Sequence, residues 1–343
     1  MHPQRQLVAV AATESARSIG RLTPWLGFAL AGVLISTSPV LAEPFNFTPI
    51  DVPGATQTQP MGINNSGQIV GFYWDSSFQS HGFLDENGTF TTIDVPGNSG
   101  FTEALGINNH GDIVGQYQTA VSDSGGTSFF YHGFIYDGST FQTVDVPGQE
   151  SVELTGINDN GVAAGNASSP GSFGLSFTYD GTLHTISVPG SLFTEAFGIN
   201  NAGTVTGYYR APPPGFNGFV ENNGTFQTFN VGFDTEPFGI NNYGVIAGYV
   251  SDSGFLYDGS TFTLLNYPGS PDTIADGIND HGQIVGAFYD PSVLGLYRGF
   301  EATPVPEPAS IFLLMIAGLV TFAAERGIGR KRSIGRSQSR SGS

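Results

Sequence analysis

Cysteine is absent from all 343 residues, which excludes disulfides and thiolate metal sites and leaves stability to packing. Lysine is absent between Glu43 and Glu301, where Arg210 and Arg298 stand alone against twenty-six carboxylates, a formal charge of about −24 for that stretch. Such a segment repels nucleic acid, and its acids favour solubility. Neither an HExxH zinc-protease motif nor a GxSxG nucleophile elbow occurs. A glycosidase carboxylate pair is spatial rather than sequential and carries no motif of its own. In their place stand 49 glycines and 28 phenylalanines. This is the composition of a turn-rich all-β chain with enough apolar residues for a core.

The remaining basic residues gather at the two ends. Arg5, Arg17 and Arg21 precede an apolar run from Trp25 to Ile35, and Val40-Leu41-Ala42 precedes Glu43. A basic region, a short apolar region and small residues before the cut predict a signal peptide over 1–42, cleaved after Ala42. At the other end Val305-Pro306-Glu307-Pro308 leads into apolar residues ending at Ala324, with Arg326, Arg330, Lys331, Arg332, Arg336 and Arg340 beyond. The division expected is a motif and linker over 303–310, a membrane helix over 311–325 and a cytoplasmic tail over 326–343. Ala309 to Ala324 reaches about 24 Å as helix, short against a hydrocarbon core of roughly 30 Å. An ordinary single-span anchor is the alternative reading.

The Pro-Glu-Pro motif, one apolar segment and an arginine-rich end, in that order, resemble the PEP-CTERM sorting signal of Gram-negative bacteria. The resemblance covers roughly residues 304–332, and residues 333–343 run past the usual basic end. It implies recognition and processing by an exosortase in an exopolysaccharide-producing organism. The protein would sit in the inner membrane before processing and at the cell surface or in the matrix afterwards.

Between the ends the sequence repeats. Gly-Ile-Asn-[Asn/Asp]-x-Gly begins at Gly62, Gly106, Gly156, Gly198, Gly239 and Gly277, a spacing of about forty residues. Each copy is followed by a strand like Ile69-Val70-Gly71, then a Gly-Phe strand like Gly82-Phe83, a turn, and a fourth strand ending at Val-Pro-Gly or a variant. The turn dipeptides Asn87-Gly88, Asp137-Gly138, Asp180-Gly181, Asn223-Gly224 and Asp258-Gly259 predict type I′ hairpins. Pro53, Pro96, Pro147, Pro189 and Pro268, each before glycine, predict type II turns. A lone fourth strand, Phe45–Asp51, precedes the first copy, and a lone third strand, Arg298–Glu301, follows the last. Joining the two leaves no unpaired edge. The fold class expected is therefore an all-β, six-bladed β-propeller of four-stranded blades over 43–302, closed by pairing N- and C-terminal strands.

His81-Gly82-Phe83 and His132-Gly133-Phe134, with Gly-Ile-Asn, resemble the units called extracellular HAF repeats, over about 45–301. Asn217, Ser253 and Arg298 replace the histidine elsewhere. The resemblance implies the fold and an extracellular setting, and no chemistry.

Turns within a blade alternate between the two faces of a ring, so the short Asn-x-x-Gly and Asx-Gly turns share one face. Loops of variable length, Thr119–Phe130, Asn166–Gly174, Arg210–Phe216 and Asp290–Tyr297, share the other, where recognition usually sits. The Asn/Asp pairs of the repeat offer at most one carboxylate each, too few for a calcium loop, and read as turn residues bonding their own backbone. Glu103, Glu153, Glu195 and Glu236 recur three residues before the repeat glycine, with Gln59 and Ile274 in the other copies. With the Gly-Ile-Asn strand innermost they would ring the channel mouth and contact a cation or sugar hydroxyls; a shared structural bond is the other reading. Tyr73, Trp74, Tyr208, Tyr209 and Phe216 lie close to the variable loops, where rings could stack on sugars. His81, His110, His132, His184 and His281 occupy repeat positions without catalytic pattern.

The expectation is a non-enzymatic surface or matrix binding module. Its expected partners are exopolysaccharide, an exosortase and, before processing, the membrane. No catalytic residue, cofactor or metal ligand is assigned, with calcium held open. A glycan-active hydrolase or lyase and a self-associating matrix protein are the alternatives.

Overall fold

The computed structural model of the chain describes residues 45–305, except 124–125, 173, 213–214, 233 and 293–295. Ala42, Pro306, Glu307, Pro308 and the segments 1–42 and 311–343 lie outside the described residues, while Val305 is exposed just past the last strand. Among the described residues there is no helix, and therefore none long and apolar enough to cross a membrane.

Among the described residues, alternating apolar residues between glycine turns fold as 24 strands. The first, β1 (Phe45–Ile50), stands alone, and six units follow. Unit one holds β2 (Gln57–Ile63), β3 (Gln68–Trp74), β4 (Ser80–Glu86) and β5 (Thr89–Ile93). Unit two holds β6 (Thr102–Ile107), β7 (Ile113–Asp123), β8 (Gly126–Tyr136) and β9 (Phe141–Val144), and unit three β10 (Ser151–Ile157), β11 (Ala163–Ser168), β12 (Leu175–Tyr179) and β13 (Leu183–Ile186). Unit four holds β14 (Phe193–Ile199), β15 (Val205–Arg210), β16 (Phe216–Asn222) and β17 (Thr225–Phe229), and unit five β18 (Glu236–Ile240), β19 (Ile246–Val250), β20 (Ser253–Tyr257) and β21 (Phe262–Leu265). Unit six has β22 (Thr273–Ile278), β23 (Ile284–Asp290) and β24 (Leu296–Pro304), and takes β1 as its fourth strand, antiparallel with Phe45 opposite Pro304 and Ile50 opposite Gly299. Each unit is an antiparallel sheet in chain order, and one parallel bridge between Ser151 and Tyr131 links units two and three.

The Gly-Ile-Asn strands pack on one another around the whole circle, β22 against β2 included, so they are innermost and the ring closes. A Cβ on Gly156 would meet Phe197 O at 2.6 Å, and one on Gly106 the Gly156 Cα at 3.0 Å. Only glycine lets neighbouring inner strands approach this closely. Every inner strand also bulges just before or at that glycine, as between Ala104 and Gly106. The core lies between the blades, and the third strand gives each unit one wholly buried phenylalanine: Phe83, Phe134, Phe177, Phe219, Phe255 and Phe300.

Two expectations need correction. The stretch Thr119–Phe130 is hairpin rather than loop, because its β-forming residues extend β7 and β8 in register out to Asp123 and Gly126. Of the five Asx-Gly dipeptides, the two Asn-Gly ones put both central residues at positive φ, Asn87 at 55° and Asn223 at 50°, while the aspartate of the other three does not. The Asp-Gly connections after β8 and β20 are four residues long, so only their glycine turns left-handed. There Asp137 and Asp258 accept backbone N–H bonds from the two residues beyond the glycine, at 2.6–2.9 Å.

Candidate functional site

The two mouths of the ring are built from different chemistry. On the short-turn face the first asparagine of each repeat is buried, and its Oδ1 accepts the N–H groups two and four residues on, as Asn158 does from Asn160 and Val162, both at 3.0 Å. Its Nδ2 donates to the backbone oxygen of the same asparagine in the next unit. The six bonds run from Asn64 through Asn108, Asn158, Asn200, Asn241 and Asn279 back to Asn64, at 3.0–3.2 Å. A second ring lies beside it. The N–H of Asn65, Asn109, Asp159, Asn201, Asn242 and Asp280 each donates to the side-chain Oδ1 of the next unit's residue, at 2.8–2.9 Å.

The two aspartates stand three units apart, and each Oδ2 accepts the side-chain amides of both neighbours. Asn109 and Asn201 donate to Asp159, and Asn65 and Asn242 to Asp280. Burial works to raise both carboxyls, yet these bonds outweigh it and hold them below the usual carboxylate range. The repeat pairs are thus a structural girdle. Inside it the channel necks to cavities of about 70 and 80 Å³, lined by the Asn rings and the residues around the repeat glycines. Asp276 projects into this neck beside Met61, Leu105, Thr155 and Phe238, and enclosure by protein pushes its carboxyl up to about 8.

Toward the variable face, beyond the neck, stands the glutamate arc. Glu103, Glu153, Glu195 and Glu236 lie on β6, β10, β14 and β18 and face Gln116, Asn166, Tyr208 and Tyr249 on the adjacent second strands. Gln116 donates to Glu103 at 2.9 Å, Asn166 to Glu153 at 3.0 Å, and the Tyr208 hydroxyl to Glu195. Asn166 also ties unit three to unit four through Ala196, whose N–H it accepts and whose carbonyl it donates to. In units one and six the same places hold Gln59 opposite Phe72 and Ile274 opposite Ala287, so the arc covers four units.

Burial is the main cause that raises Glu103, Glu153 and Glu236. Glu103 reaches about 7 by burial, partly offset by Gln116 and reinforced by Glu153. Glu153 is raised by burial and by Glu195, and Glu236 reaches about 7 by burial, Asp234 and Glu195. Burial first, then Glu195, pushes the Tyr208 phenol up. None of the four glutamates lines the narrow neck, and among the described residues no three acids or histidines group closely enough to hold a metal ion.

Aromatic rings gather at one end of this arc. Tyr208 stacks on Phe197 at 5.3 Å and touches Phe216 at 5.1 Å, with Phe193 beside both. Phe197 in turn meets Phe238. Of the other rings suspected near this face, Tyr73 bonds Thr92 and stacks on His81, Trp74 packs edge-on to Phe72, and Tyr209 packs against the unit-four core.

The histidines serve the blades. His81 pairs with Asp94 at 2.9 Å and His132 with Asp145 at 2.7 Å, across the third and fourth strands. The same two places hold Asn217 with Asn230, and Arg298 with Asp51. This swap of one polar pair for another was missed from the sequence, although aligning the six copies on Gly-Phe displays it. His184 meets Asp180 at 3.3 Å, and His110 and His281 sit in the repeat turns.

No protein family and no curated protein sequence matches this chain. Among solved structures it is similar to the SapL1 lectin in complex with α-methyl fucoside, with a TM-score of 0.47, 12% identity, and coverage of 74% of this chain and 98% of that one. It is similar also to the six-bladed β-propeller fucose-recognising lectin of Aleuria aurantia, with a TM-score of 0.42, 14% identity, and coverage of 73% and 95%. A third similarity is to TolB from Acinetobacter baumannii, with a TM-score of 0.41, 12% identity and 71% of this chain covered, where the chain spans only 53% of that protein.

Proposed function

We propose that this chain is an exported, PEP-CTERM-sorted surface or matrix protein that works as a non-enzymatic binding module for exopolysaccharide through the variable face of a six-bladed propeller. The observation that carries the reading is the contrast between the two mouths. One is girdled by two complete hydrogen-bond rings whose polar groups bond one another. The other offers acids and clustered rings, Glu153, Glu195, Tyr208 and Phe216, beside loops of unequal length. Carboxylates that accept hydroxyls, next to aromatic faces that cover sugar C–H surface, suit a neutral glycan. With so few cations in the ring, an anionic glycan would need calcium between itself and the protein.

The sorting part of the proposal rests on the sequence signals at 1–42 and 305–343. An exosortase is the processing partner, the apolar segment 311–325 holds the chain in the inner membrane beforehand, and release places the ring outside the cell. Replacing Pro306, Glu307 and Pro308 by alanine should leave the protein in the membrane fraction, and unchanged release would contradict the sorting reading. Binding is tested by co-sedimentation with the producing organism's polysaccharide: Glu195→Gln and Tyr208→Phe should weaken it while the protein stays folded.

A second reading, a glycan hydrolase or lyase on the same scaffold, draws on Glu103 and Glu236, both held near 7, the range a general acid needs. Release of new reducing or unsaturated sugar ends on incubation would favour it.

A further inference from the structure

The repeat breaks at the seam between units six and one, on the short-turn face opposite the glutamate arc. In units two, three and five the third strand carries a tyrosine at one register, Tyr136, Tyr179 and Tyr257, opposite Ile113, Ala163 and Ile246; unit six has Ala302 there, and unit four Glu221, which like Asp85 accepts the N–H of the glycine three residues on. An aliphatic side chain of the preceding unit covers it: Leu84 packs in one cluster with Tyr136 and Phe141, Ile135 with Tyr179, and Val220 with Tyr257. At the seam both places are acids. Asp85, opposite Ile69, holds the tyrosine position, and Glu301, opposite Val285, the aliphatic one.

With Asp85 in the tyrosine's place and Glu301 in the aliphatic one, the seam holds a cavity of about 330 Å³, within the range that holds a small ligand. Asp51, Asp85, Asn87, Phe90, Gln283 and Glu301 line it. Asp85 is 7% exposed although it stands toward the outside of the ring. Its Oδ1 accepts the Gly88 N–H at 2.6 Å, and among the described residues no hydrogen bond reaches Oδ2. Gln283 already donates to Glu301 at 2.8 Å and accepts from Asn279, and Arg298 is spent on Asp51 and Asp290. The cavity therefore holds surplus negative charge, a carboxylate oxygen of Asp85 without a hydrogen-bond partner, and the ring of Phe90. An acid left without a cation in such a place is costly, and a positive group between carboxylates and an aromatic ring offsets that cost.

We propose that the seam cavity is a binding site for a protonated primary amine carried on a hydroxylated ring, an amino-sugar residue, with Asp85 and Glu301 taking the ammonium and Phe90 packing on the ring. The site does not rest on the polysaccharide reading of the variable face, since it lies on the other side of the molecule and uses none of the same residues.

The test is a titration of the full chain, purified in detergent, with glucosamine, glucose, N-acetylglucosamine and putrescine, read by ligand-observed NMR. Glucosamine should saturate with a dissociation constant on the order of millimolar, with each of the other three weaker by about tenfold or more. Asp85→Asn keeps the volume and removes the charge, so it should cost glucosamine about tenfold. Asp85→Tyr installs the side chain of units two, three and five, so it should fold and melt at or above the parent while losing the site. Equal binding of all four compounds, absence of saturation by glucosamine, or full binding by folded Asp85→Tyr would each overturn the proposal.

Discussion

Asn158 shows how much one side chain of the repeat carries. Its Oδ1 holds two backbone N–H groups of its own turn, and its Nδ2 reaches the next unit. Asn158→Ala leaves these groups unpaired in a buried place, and the expected loss is about 1–3 kcal/mol in chemical denaturation, with little loss for the exposed Asn160→Ala. The acids of the inner strands and their turns set opposite dependences on pH. Asp159 and Asp280 have folded pKa values below their unfolded ones, so their contribution is present above about pH 4 and is lost as pH falls through the folded value. Glu103 runs the other way. Its folded pKa of about 7 exceeds the unfolded 4.5, so stability falls as pH rises from 4.5 to about 7 and then levels. Glu103→Gln should raise the melting temperature at pH 8, leave it unchanged at pH 4, and flatten the slope between; an equal shift at both pH values would contradict this account.

At the scale of the strand, closure depends on β1. It supplies the outer edge of unit six, and Asp51 just beyond it pairs with Arg298 of β24. Deleting Phe45 to Asp51 bares the edge of β24 and should lower the single melting transition by about 10 °C or more in scanning calorimetry. An unchanged transition would mean that the ring does not need its first strand. The inner strands make the complementary point: Gly156→Ala puts a methyl against Phe197 O, and the expected cost is about 1–3 kcal/mol by denaturant titration.

Much of this was legible, for definite reasons. Gly-Ile-Asn recurs because close inner-strand packing and a two-bond turn cap both demand those residues, and the lone strands Phe45–Asp51 and Arg298–Glu301 announced their pairing by completing a count. The long β7–β8 hairpin was not legible as strand, because loop length was judged against shorter sister units. The Asp-Gly turns were assigned to the wrong geometry because a dipeptide does not report the loop length that selects the turn type. Glu103 and its fellows were found from sequence as a recurring acid. Their partners Gln116, Asn166 and Tyr208 vary in type and become visible only in register. The seam acids Asp85 and Glu301 escaped notice because a departure from a repeat is seen only once each position has its counterpart.

At the scale of the whole molecule the proposed function rests on a division of labour between faces: hydrogen-bond rings girdle one mouth, and acids and aromatic rings gather toward the other. The most direct measurement is calorimetric titration of residues 43–302 with the exopolysaccharide of the producing organism, with and without a calcium chelator, while the solution is assayed for freed sugar ends. Saturable heat that Glu195→Gln and Tyr208→Phe diminish, with no sugar released, is the expected result. No heat at any calcium level, or heat accompanied by steady release of sugar, would contradict it.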